Sequence, residues 1–328
     1  MSEQNVGLAM LGCAGDIQAH RDAAARLDGG AFSVVVDPDP DRARTAAEAV
    51  GAAIVVPTLD EALDAHGGSF EAIVLRTPLP DRLACINQAA QQGKHVHVEA
   101  PLALNLDDTN AAIDTCAKAN VYLSIGNTLR ALPSNRTIKA RVVDNKLGIP
   151  GILRGHRWWA AGNSTKKLSE HIYGDIDLAA WLFEAMPSEI YALGRGGNPD
   201  GTMPEYLQVH LGFPNGGMAL LDFATALPEG QEYHSYFLIG STGAAHADDH
   251  HNAHLLYRGG DPTALISRED HRRVTDELQG FVTAIRNQVP PPVTGEDARI
   301  VQQIINGVAQ SLESNQPLTE TEGAYEPV

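Results

Sequence analysis

The sequence predicts an α/β protein with two domains: an N-terminal doubly wound parallel sheet of the Rossmann type, and a C-terminal α+β domain with a large, mostly antiparallel open sheet. Six short apolar runs alternate with helical patterns early in the chain, which is typical of a parallel sheet with helices on both faces. Extended segments then follow one another with little helix between them. Because 328 residues suit two domains, we expect domains 1–125 and 126–328.

The first domain is predicted from apolar, β-branched runs that end at turn residues. They span residues 6–11, 32–36, 52–56, 71–75, 94–98 and 121–125, and such runs are expected where a strand is buried on both faces. Helical patterns separate them, for example at residues 81–92 and 105–120. Asp39 can cap a helix that Gly51 ends, and Thr58 with Glu61 has the spacing of a capping box.

The second domain is predicted from extended segments at residues 152–159, 189–194, 206–213, 217–226, 233–240 and 254–259. Helical patterns lie at residues 133–146, 166–183, 270–288 and 296–312. Strands grouped between helices in this way favour one antiparallel sheet with helices packed on it.

Composition restricts the possible partners. Charged residues make up 20% and hydrophobic residues 43%, which is ordinary globular usage, and the net charge of −17 disfavours nucleic acid and anionic membranes. The three separated cysteines, Cys13, Cys85 and Cys116, form neither a disulfide framework nor a zinc cluster. No apolar stretch is long enough to span a membrane, and the N-terminus has no signal-peptide pattern. We expect a cytoplasmic protein that binds a small molecule.

The first predicted strand is followed by a turn made of Gly12, Cys13, Ala14, Gly15, Asp16 and Ile17. A dinucleotide fingerprint has glycine at the first, third and sixth positions. Here only Gly12 is in register, although Gly15 keeps the turn small. Asp37 ends the second strand, where a carboxylate binds the ribose of NAD and disfavours the phosphate of NADP. A capping role for Asp37, or a turn that no longer holds a nucleotide, stays open as an alternative.

Two more polar clusters follow the fourth and fifth strands, where ligands bind in an open α/β sheet. They contain the candidate cofactor-binding residues Thr77, Pro78, Arg82 and Glu99, in addition to Gly12, Ala14, Gly15, Asp16, Ile17 and Asp37. Arg76 and Arg82 could hold a phosphate or carboxylate. They could equally form salt bridges with Asp81, Glu99 or Asp16.

These segments resemble the Gfo/Idh/MocA family of NAD(P)-dependent oxidoreductases, which act mostly on sugars, inositols and related polyols. The resemblance runs nearly end to end and includes DPDPDRA after the second strand, TP after the fourth, GKHVHVEAPLA at the fifth and DIDLAAWL in a later helix. It implies an N-terminal domain that binds NAD, a second domain whose open sheet often forms a dimer face, and a homodimer or homotetramer.

The chain departs from this family at both common proton-transfer positions. Family members usually have Glu-Lys-Pro after the fifth strand, where this chain has Glu99-Ala100-Pro101. They also usually have an Asp, a His and an Asp along the later helix, where this chain has Glu170, Gly174 and Asp177. Neither alanine nor glycine can act as an acid or a base.

The same helix offers substitutes for the missing groups. Lys167, Glu170, His171 and Gly174 share a face at helical spacing, and Tyr173 is next to Gly174. The candidate catalytic residues are Tyr173, His171, Glu170 and Asp177, and the candidate substrate-binding residues are Lys167, Asn127, Arg130 and Trp158. Asn127 and Arg130 match a family segment, and a tryptophan can stack on a sugar ring. A solvated Lys167–Glu170 pair and packing roles for His171 and Tyr173 stay open.

The residues from His246 to His254 include four histidines and two aspartates. Ligands of these types suit a transition metal only if the segment folds so that they converge. The flanking segments are strand-like, so we expect an exposed polar loop and no metal.

Three hypotheses about function follow. We favour an enzyme that transfers a hydride between NAD and a sugar-, inositol- or polyol-like substrate with a non-standard acid/base set. The second hypothesis is a catalytically inactive family member that acts as a sensor or binding protein, which the missing lysine and histidine favour. The third is a non-redox lyase or isomerase that uses bound NAD.

Overall fold

The computed structural model describes residues 5–161, 167–196, 202–229, 231–248, 254–257, 263–265, 272–321 and 324–327. The chain divides into two units, one formed by Met1–Ala131 with His271–Arg299 and the other by Leu132–Asp270 with Ile300–Val328. Residues 126–131 and 271–299 therefore group with the N-terminal sheet, whereas the predicted division after residue 125 had assigned them to the second domain.

The first unit contains six parallel strands: β1 (Val6–Leu11), β2 (Gly30–Val36), β3 (Ile54–Val56), β4 (Ala72–Leu75), β5 (His95–Glu99) and β6 (Leu123–Gly126). Their order is β3-β2-β1-β4-β5-β6, and every neighbouring pair is parallel. This order confirms the predicted doubly wound sheet. It also brings the carboxyl ends of β1 and β4 to the crevice at which nucleotides bind in such sheets.

Ten helices lie in the described residues: α1 (Gln18–Ala24), α2 (Pro40–Val50), α3 (Leu59–His66), α4 (Arg82–Gln91), α5 (Leu106–Lys118), α6 (Thr128–Ala131), α7 (Pro133–Val143), α8 (Leu168–Phe183), α9 (Arg273–Asn287) and α10 (Gly295–Ser314). The predicted caps are confirmed. The Asp39 side chain accepts hydrogen bonds from two backbone N–H groups at the start of α2, Gly51 ends α2 with φ +75°, and Thr58 caps α3.

Helix α9 explains why residues 271–299 group with the first unit. Its apolar face contributes Leu278, Phe281 and Val282 to one buried cluster with Leu8 and Met10 of β1. Burial of such side chains is worth about 1.5–3 kcal/mol each, so this helix is part of the N-terminal core. Sequence distance concealed the contact, because α9 follows β1 by more than 250 residues.

The second unit is built on one sheet of ten strands: β7 (Pro150–Ala160), β8 (Glu189–Arg195), β9 (Tyr206–Gly212), β10 (Met218–Leu227), β11 (Glu232–Gly240), β12 (Ala244–Asp248), β13 (His254–Tyr257), β14 (Thr263–Leu265), β15 (Leu318–Thr321) and β16 (Ala324–Pro327). Their order is β14-β13-β12-β11-β7-β10-β9-β8-β15-β16. Among the described strands, the β7–β10 pair is parallel and the other neighbouring pairs are antiparallel, which confirms the predicted open sheet.

The polar run that starts at His246 was expected to be a loop, and this is wrong for its first part. Residues 244–248 form strand β12, because their backbone pairs with β11 and His246 lies opposite Phe237. Strand β13 begins at His254. Residues 249–253, including His250 and His251, lie outside the described residues, and the expectation for them stays a prediction.

None of the described helices combines the length and the apolar character that crossing a membrane requires.

Candidate functional site

The turn after β1 presents a row of backbone donors. Gly12 and Gly15 have φ values of +89° and +77°, which glycine adopts without strain. A Cβ on Gly12 would lie 3.0 Å from the backbone carbonyl of Arg76, whereas no atom lies within 4 Å of a Cβ on Gly15. The N–H groups of residues 14–17 have no acceptor among the described residues. Consecutive unsatisfied N–H groups of this kind suit the oxygens of a diphosphate.

Asp37 ends β2 beside this turn, as the sequence predicts. Its carboxylate accepts hydrogen bonds from the N–H of Cys13 at 2.8 Å and from the N–H of Asp39 at 2.9 Å, and it pairs with Arg42 at 2.8 Å. Burial alone would raise its pKa, but the Arg42 guanidinium and the two N–H groups outweigh burial and lower it. Asp37 is therefore an anion that fixes the turn, while Asp39 is the cap of α2. An anion at this place and donors in the turn fit the two ends of an adenosine diphosphate.

The two arginines near the strand ends both bind groups of the protein. Arg76 lies with Nε 3.1 Å from Oε1 of Glu99, and it also donates to the carbonyls of Ala14 and Asp16. Of the two alternatives left open by the sequence, the salt bridge to Glu99 is therefore the one observed for Arg76.

Arg82 was expected to contact the cofactor, but its described partners are backbone carbonyls. It is buried, and its guanidinium donates to the carbonyls of Thr77, Glu99 and Pro101. The side chain thus holds together the segments that follow β4 and β5. Thr77 and Pro78 precede the single turn of 3₁₀ helix at Leu79–Asp81.

A group of buried titratable side chains behind Glu99 was missed by the sequence analysis. His20 of α1 has Nε2 3.7 Å from Oε1 of Glu99, and His97 of β5 has Nδ1 3.1 Å from the hydroxyl of Ser124. Burial lowers the pKa of His20 to about 3 and that of His97 to about 4. Both rings are therefore neutral near pH 7, and the His20–Glu99 contact is not an ion pair.

Glu277 of α9 lies in the same group. Burial and the nearby Glu99 raise its pKa to about 8, and its Oε1 has no hydrogen-bond partner. A Cβ on Gly126 would lie 3.1 Å from both Oε2 of Glu277 and Nε2 of His97. Because Gly126 has no side chain, it leaves room between Glu277 and His97. Neither hydrophobic periodicity nor motif spacing in the sequence indicates that these two residues lie close together.

In the second unit, three charged or titratable side chains come together between α8 and the face of the sheet that packs on it, here called the inner face. Oδ1 of Asp175 lies 3.2 Å from Nε2 of His234 on β11, and Oδ2 lies 3.4 Å from Nε of Arg157 on β7. His234 and Arg157 are directly opposed in the β7–β11 ladder. Burial would raise the pKa of Asp175, but Arg157 and His234 outweigh it and lower that pKa. Asp175 is thus an anion next to Gly174, where the family usually has histidine.

The candidate catalytic residues occupy different surroundings on α8. The ring of His171 packs against Trp159 with centroids 4.7 Å apart, and Tyr173 is buried, with 4% of its surface exposed. Asp177 is fully buried. Glu170 accepts a hydrogen bond from the N–H of Lys167 and so serves to cap the helix.

The two tryptophans of β7 point to opposite faces of the sheet. Trp159 lies on the α8 side with His171, whereas Trp158 packs against Tyr233 and His156, with ring centroids at 4.9 Å and 5.6 Å. Because side chains alternate along a strand, Trp158 is on the outer face. The structure therefore does not bring the expected substrate residue Trp158 together with Tyr173.

Asn127 and Arg130 belong to the first unit. Oδ1 of Asn127 accepts from the N–H of Leu129, and Arg130 is buried and pairs with Asp297 at 3.0 Å. Burial acts against ionisation of Asp297, yet Arg130 and two groups of Thr294 outweigh it and lower the pKa of that carboxyl. Arg130 thus anchors the start of α10.

The cluster of Asp175, His234 and Arg157 was not identified from the sequence. The sequence does indicate where Arg157 lies, because alternation along the strand at residues 152–159 places it on the same face as Trp159. Asp175 was not predicted as a site residue because the family pattern assigns roles to positions 170, 174 and 177 only. Among the residues that the structure describes, no group of three or more His, Cys, Asp or Glu side chains could hold a metal ion.

Comparisons with known proteins agree with this architecture. Residues 6–127 match the family model for the oxidoreductase family with an NAD-binding Rossmann fold, and residues 168–319 match the C-terminal α/β domain of the same family. The scyllo-inositol 2-dehydrogenase (NAD(+)) of Bacillus subtilis is 25% identical over 89% of this chain and 89% of its own length. The myo-inositol 2-dehydrogenase of Thermotoga maritima is 22% identical over 94% of this chain and 96% of its own.

Solved structures show the same fold. An oxidoreductase from Agrobacterium radiobacter, in complex with NAD⁺, L-tartaric acid and magnesium, has a TM-score of 0.84 at 16% identity and covers 96% of this chain and 98% of its own. The two family models together span most of the 328 residues. The chain therefore belongs to the Gfo/Idh/MocA family of oxidoreductases.

Proposed function

We propose that the protein transfers a hydride between NAD and a sugar-, inositol- or polyol-like substrate. The observation that carries the proposal is the turn at residues 12–17, whose four consecutive N–H groups without acceptors lie beside the anionic Asp37. Ala14, Gly15 and Asp16 are exposed, so these donors are open to the oxygens of a bound diphosphate. The relatives named above are inositol dehydrogenases, which supports the substrate class.

Asp37 favours NAD over NADP. Its carboxylate is anionic and buried with 3% of its surface exposed, so a 2′-phosphate brought to the end of β2 would meet a like charge. Arg42 lies at the same place and is about half exposed, but its guanidinium already pairs with Asp37 and with Asp39. Its positive charge is therefore shared between two carboxylates.

The missing lysine and histidine require another proton acceptor. NAD, when bound, supplies the hydride-accepting group, and the substrate hydroxyl must lose its proton to a base. We assign this role to His234, because Asp175 lies on its Nε2 side and can hold the ring and stabilise its protonated form. His171 and Tyr173 lie on the same helix as Asp175 and are the alternatives that the sequence favoured.

We further propose a homodimer or homotetramer formed through the outer face of the sheet. This face exposes apolar side chains, namely Leu193, Tyr206, Met218 and Ile239, each with 42–49% of its surface accessible. The partner of the active protein is then a second copy of the chain together with a small molecule. The reduced cytoplasm fits the free thiols of Cys13, Cys85 and Cys116.

Two experiments test the proposal. Titration of NAD and NADP against intrinsic tryptophan fluorescence is expected to give saturable binding of NAD. Absence of binding of both at millimolar concentration would eliminate the redox function and the lyase or isomerase alternative, and would leave a sensor or binding protein.

The second experiment compares His234→Gln, His171→Ala and Tyr173→Phe in NAD-dependent oxidation of a polyol panel. His234→Gln is expected to lower kcat by about 10²–10⁴-fold, the usual contribution of a general base. A larger loss in His171→Ala or Tyr173→Phe would transfer the role to that residue. Unchanged turnover in all three would show that the proton leaves by another route.

A further inference from the structure

Arg157 carries a positive charge that its described contacts only partly use. Its Nε lies 3.4 Å from Oδ2 of Asp175. The two terminal nitrogens of the guanidinium have no acceptor among the described residues. The side chain is mostly buried, with 22% exposed, but its terminal nitrogens are not among the fully buried polar atoms without a partner, so they remain open to a ligand.

The contact between Arg157 and Asp175 leaves the two terminal nitrogens of the guanidinium available to bind an anion. An arginine held through Nε by a protein carboxylate has a fixed plane, and its terminal nitrogens then form a fork that matches the two oxygens of a second carboxylate. Lysine would give a point charge without this match. Asp175 is buried on α8 and lies 3.2 Å from His234, so the carboxylate that orients the guanidinium is itself held between a helix and a strand.

An aromatic side chain lies on the same face of the sheet as Arg157. Trp159 follows Arg157 by two positions on β7 and therefore lies on the same face of the sheet. The Trp159 ring packs on His171 and lies parallel to Phe223 with centroids 6.3 Å apart, and it is only partly buried, so part of its aromatic surface stays exposed. Such surfaces contact the C–H face of sugars, while hydroxyl and charged groups bind at the edges.

We propose that the substrate is a polyol that carries a carboxylate, such as an aldonic or uronic acid, and that Arg157 binds this carboxylate. This inference rests on the proposed function, because it places the substrate beside the His234–Asp175 pair. A neutral polyol offers the terminal nitrogens of Arg157 only uncharged hydroxyl oxygens as acceptors. A carboxylate accepts from both nitrogens in the plane of the fork and offsets the positive charge that remains after sharing Asp175.

The test compares probes that differ in the carboxylate alone. D-gluconate and D-glucitol, and D-glucuronate and D-glucose, are titrated calorimetrically into the wild-type protein, with and without saturating NAD. We expect each acid to bind at least ten-fold more tightly than its neutral partner. Equal affinity for acid and neutral partner would overturn the proposal, as would absence of binding by both acids under both conditions.

Variants then identify the residue responsible. Arg157→Lys keeps the charge and its pairing with Asp175 and removes the fork. We expect it to weaken binding of the acids about ten-fold and to leave the neutral probes and NAD unchanged. The matched control is Arg154→Lys, the same change on the same strand at an exposed position on the opposite face. Equal effects of the two variants on the acids would overturn the assignment to Arg157.

The two proposals fail in different ways. If NAD does not bind the wild-type protein, the proposed function fails, while the titrations without NAD still decide the carboxylate preference. If NAD binds and neutral polyols are oxidised as well as the acids, the redox function stands and the carboxylate inference fails.

Discussion

Nε2 of His234 lies 3.2 Å from Oδ1 of Asp175, which joins strand β11 to helix α8 at the position next to Gly174. Family members usually have a histidine at the site of this glycine. His234 thus places an imidazole against α8 from a neighbouring strand, in addition to His171 of the helix itself. A carboxylate that fixes a histidine ring and its tautomer is the general arrangement of an acid–base pair.

Replacement of Asp175 by asparagine tests this pair. An amide cannot stabilise the protonated ring of His234, so we expect kcat to fall by about 10²–10⁴-fold. The loss is expected in kcat while the Kd for NAD stays unchanged, whereas a purely structural role would lower the melting temperature and the amount of active enzyme together. The control is Asp222→Asn, which removes the carboxylate of a similar pair, since Asp222 lies 3.2 Å from His156 on the outer face. Equal losses in both variants would contradict the assignment.

Substitution of Asp37 by serine is expected to reverse the cofactor preference. The variant loses the anion that disfavours a 2′-phosphate and leaves Arg42 with one fewer carboxylate. We expect the Kd for NAD to rise about ten-fold, which corresponds to about 1.4 kcal/mol, and the Kd for NADP to fall. Fluorescence titration of both cofactors measures this. Asp41→Ser, on the exposed side of α2, serves as the control, and an unchanged NAD/NADP ratio in Asp37→Ser would show that the carboxylate does not select the cofactor.

The turn after β1 allows a matched comparison of two glycines. Both Gly12 and Gly15 have positive φ, so alanine at either place costs about 1–2 kcal/mol in backbone strain. At Gly12 the added Cβ also meets the backbone of Arg76 at 3.0 Å, while at Gly15 it meets nothing within 4 Å. We expect Gly12→Ala to be less stable than Gly15→Ala by a further 1–3 kcal/mol or so, the usual cost of overpacking. Thermal unfolding of the two variants decides this, and equal melting temperatures would contradict it.

The sequence predicted the features that depend on local patterns. Apolar runs and caps such as Asp39 and Thr58 located the strands and helices of the first unit, because periodicity and turn chemistry act over a few residues. The place of Asp37 at the end of β2 was predicted in the same way. The sequence did not indicate strands β12, β15 and β16, because their residues form no apolar run.

The parts of the site that were missed depend on packing between distant segments. Alternation along β7 shows that Trp158 and Trp159 point to opposite faces of the sheet. Only the position of α8 determines that Trp159 lies on the same face as the Asp175–His234 pair. The pairing of Asp175 with His234 likewise depends on the rotation of α8 about its axis. Glu277 reaches the group behind Glu99 because α9 packs with β1, which no local pattern encodes.

Glu277 makes the stability of the protein depend on pH. Its pKa is raised from 4.5 to about 8 because burial, and then the charges of Glu99 and Asp276, oppose ionisation more strongly than Arg273 favours it. His97 faces it across Gly126 and is neutral. The folded protein therefore holds this proton over a pH range in which the unfolded chain releases it. Between about pH 4.5 and pH 8 the group makes folding less favourable as pH rises, by about 1.4 kcal/mol for each pH unit, and below and above that range it adds no further pH dependence.

Replacement of Glu277 by glutamine keeps the shape of the protonated acid and removes the titration. We expect the melting temperature of Glu277→Gln relative to the wild type to increase steadily from pH 5 to pH 8, measured in buffers of equal ionic strength. Glu48→Gln, at an exposed position of α2, is expected to give a difference from the wild type that does not vary with pH. A pH-independent difference for Glu277→Gln as well would mean that Glu277 is already ionised in the folded protein, and that a cation or water inside the group behind Glu99 compensates its charge.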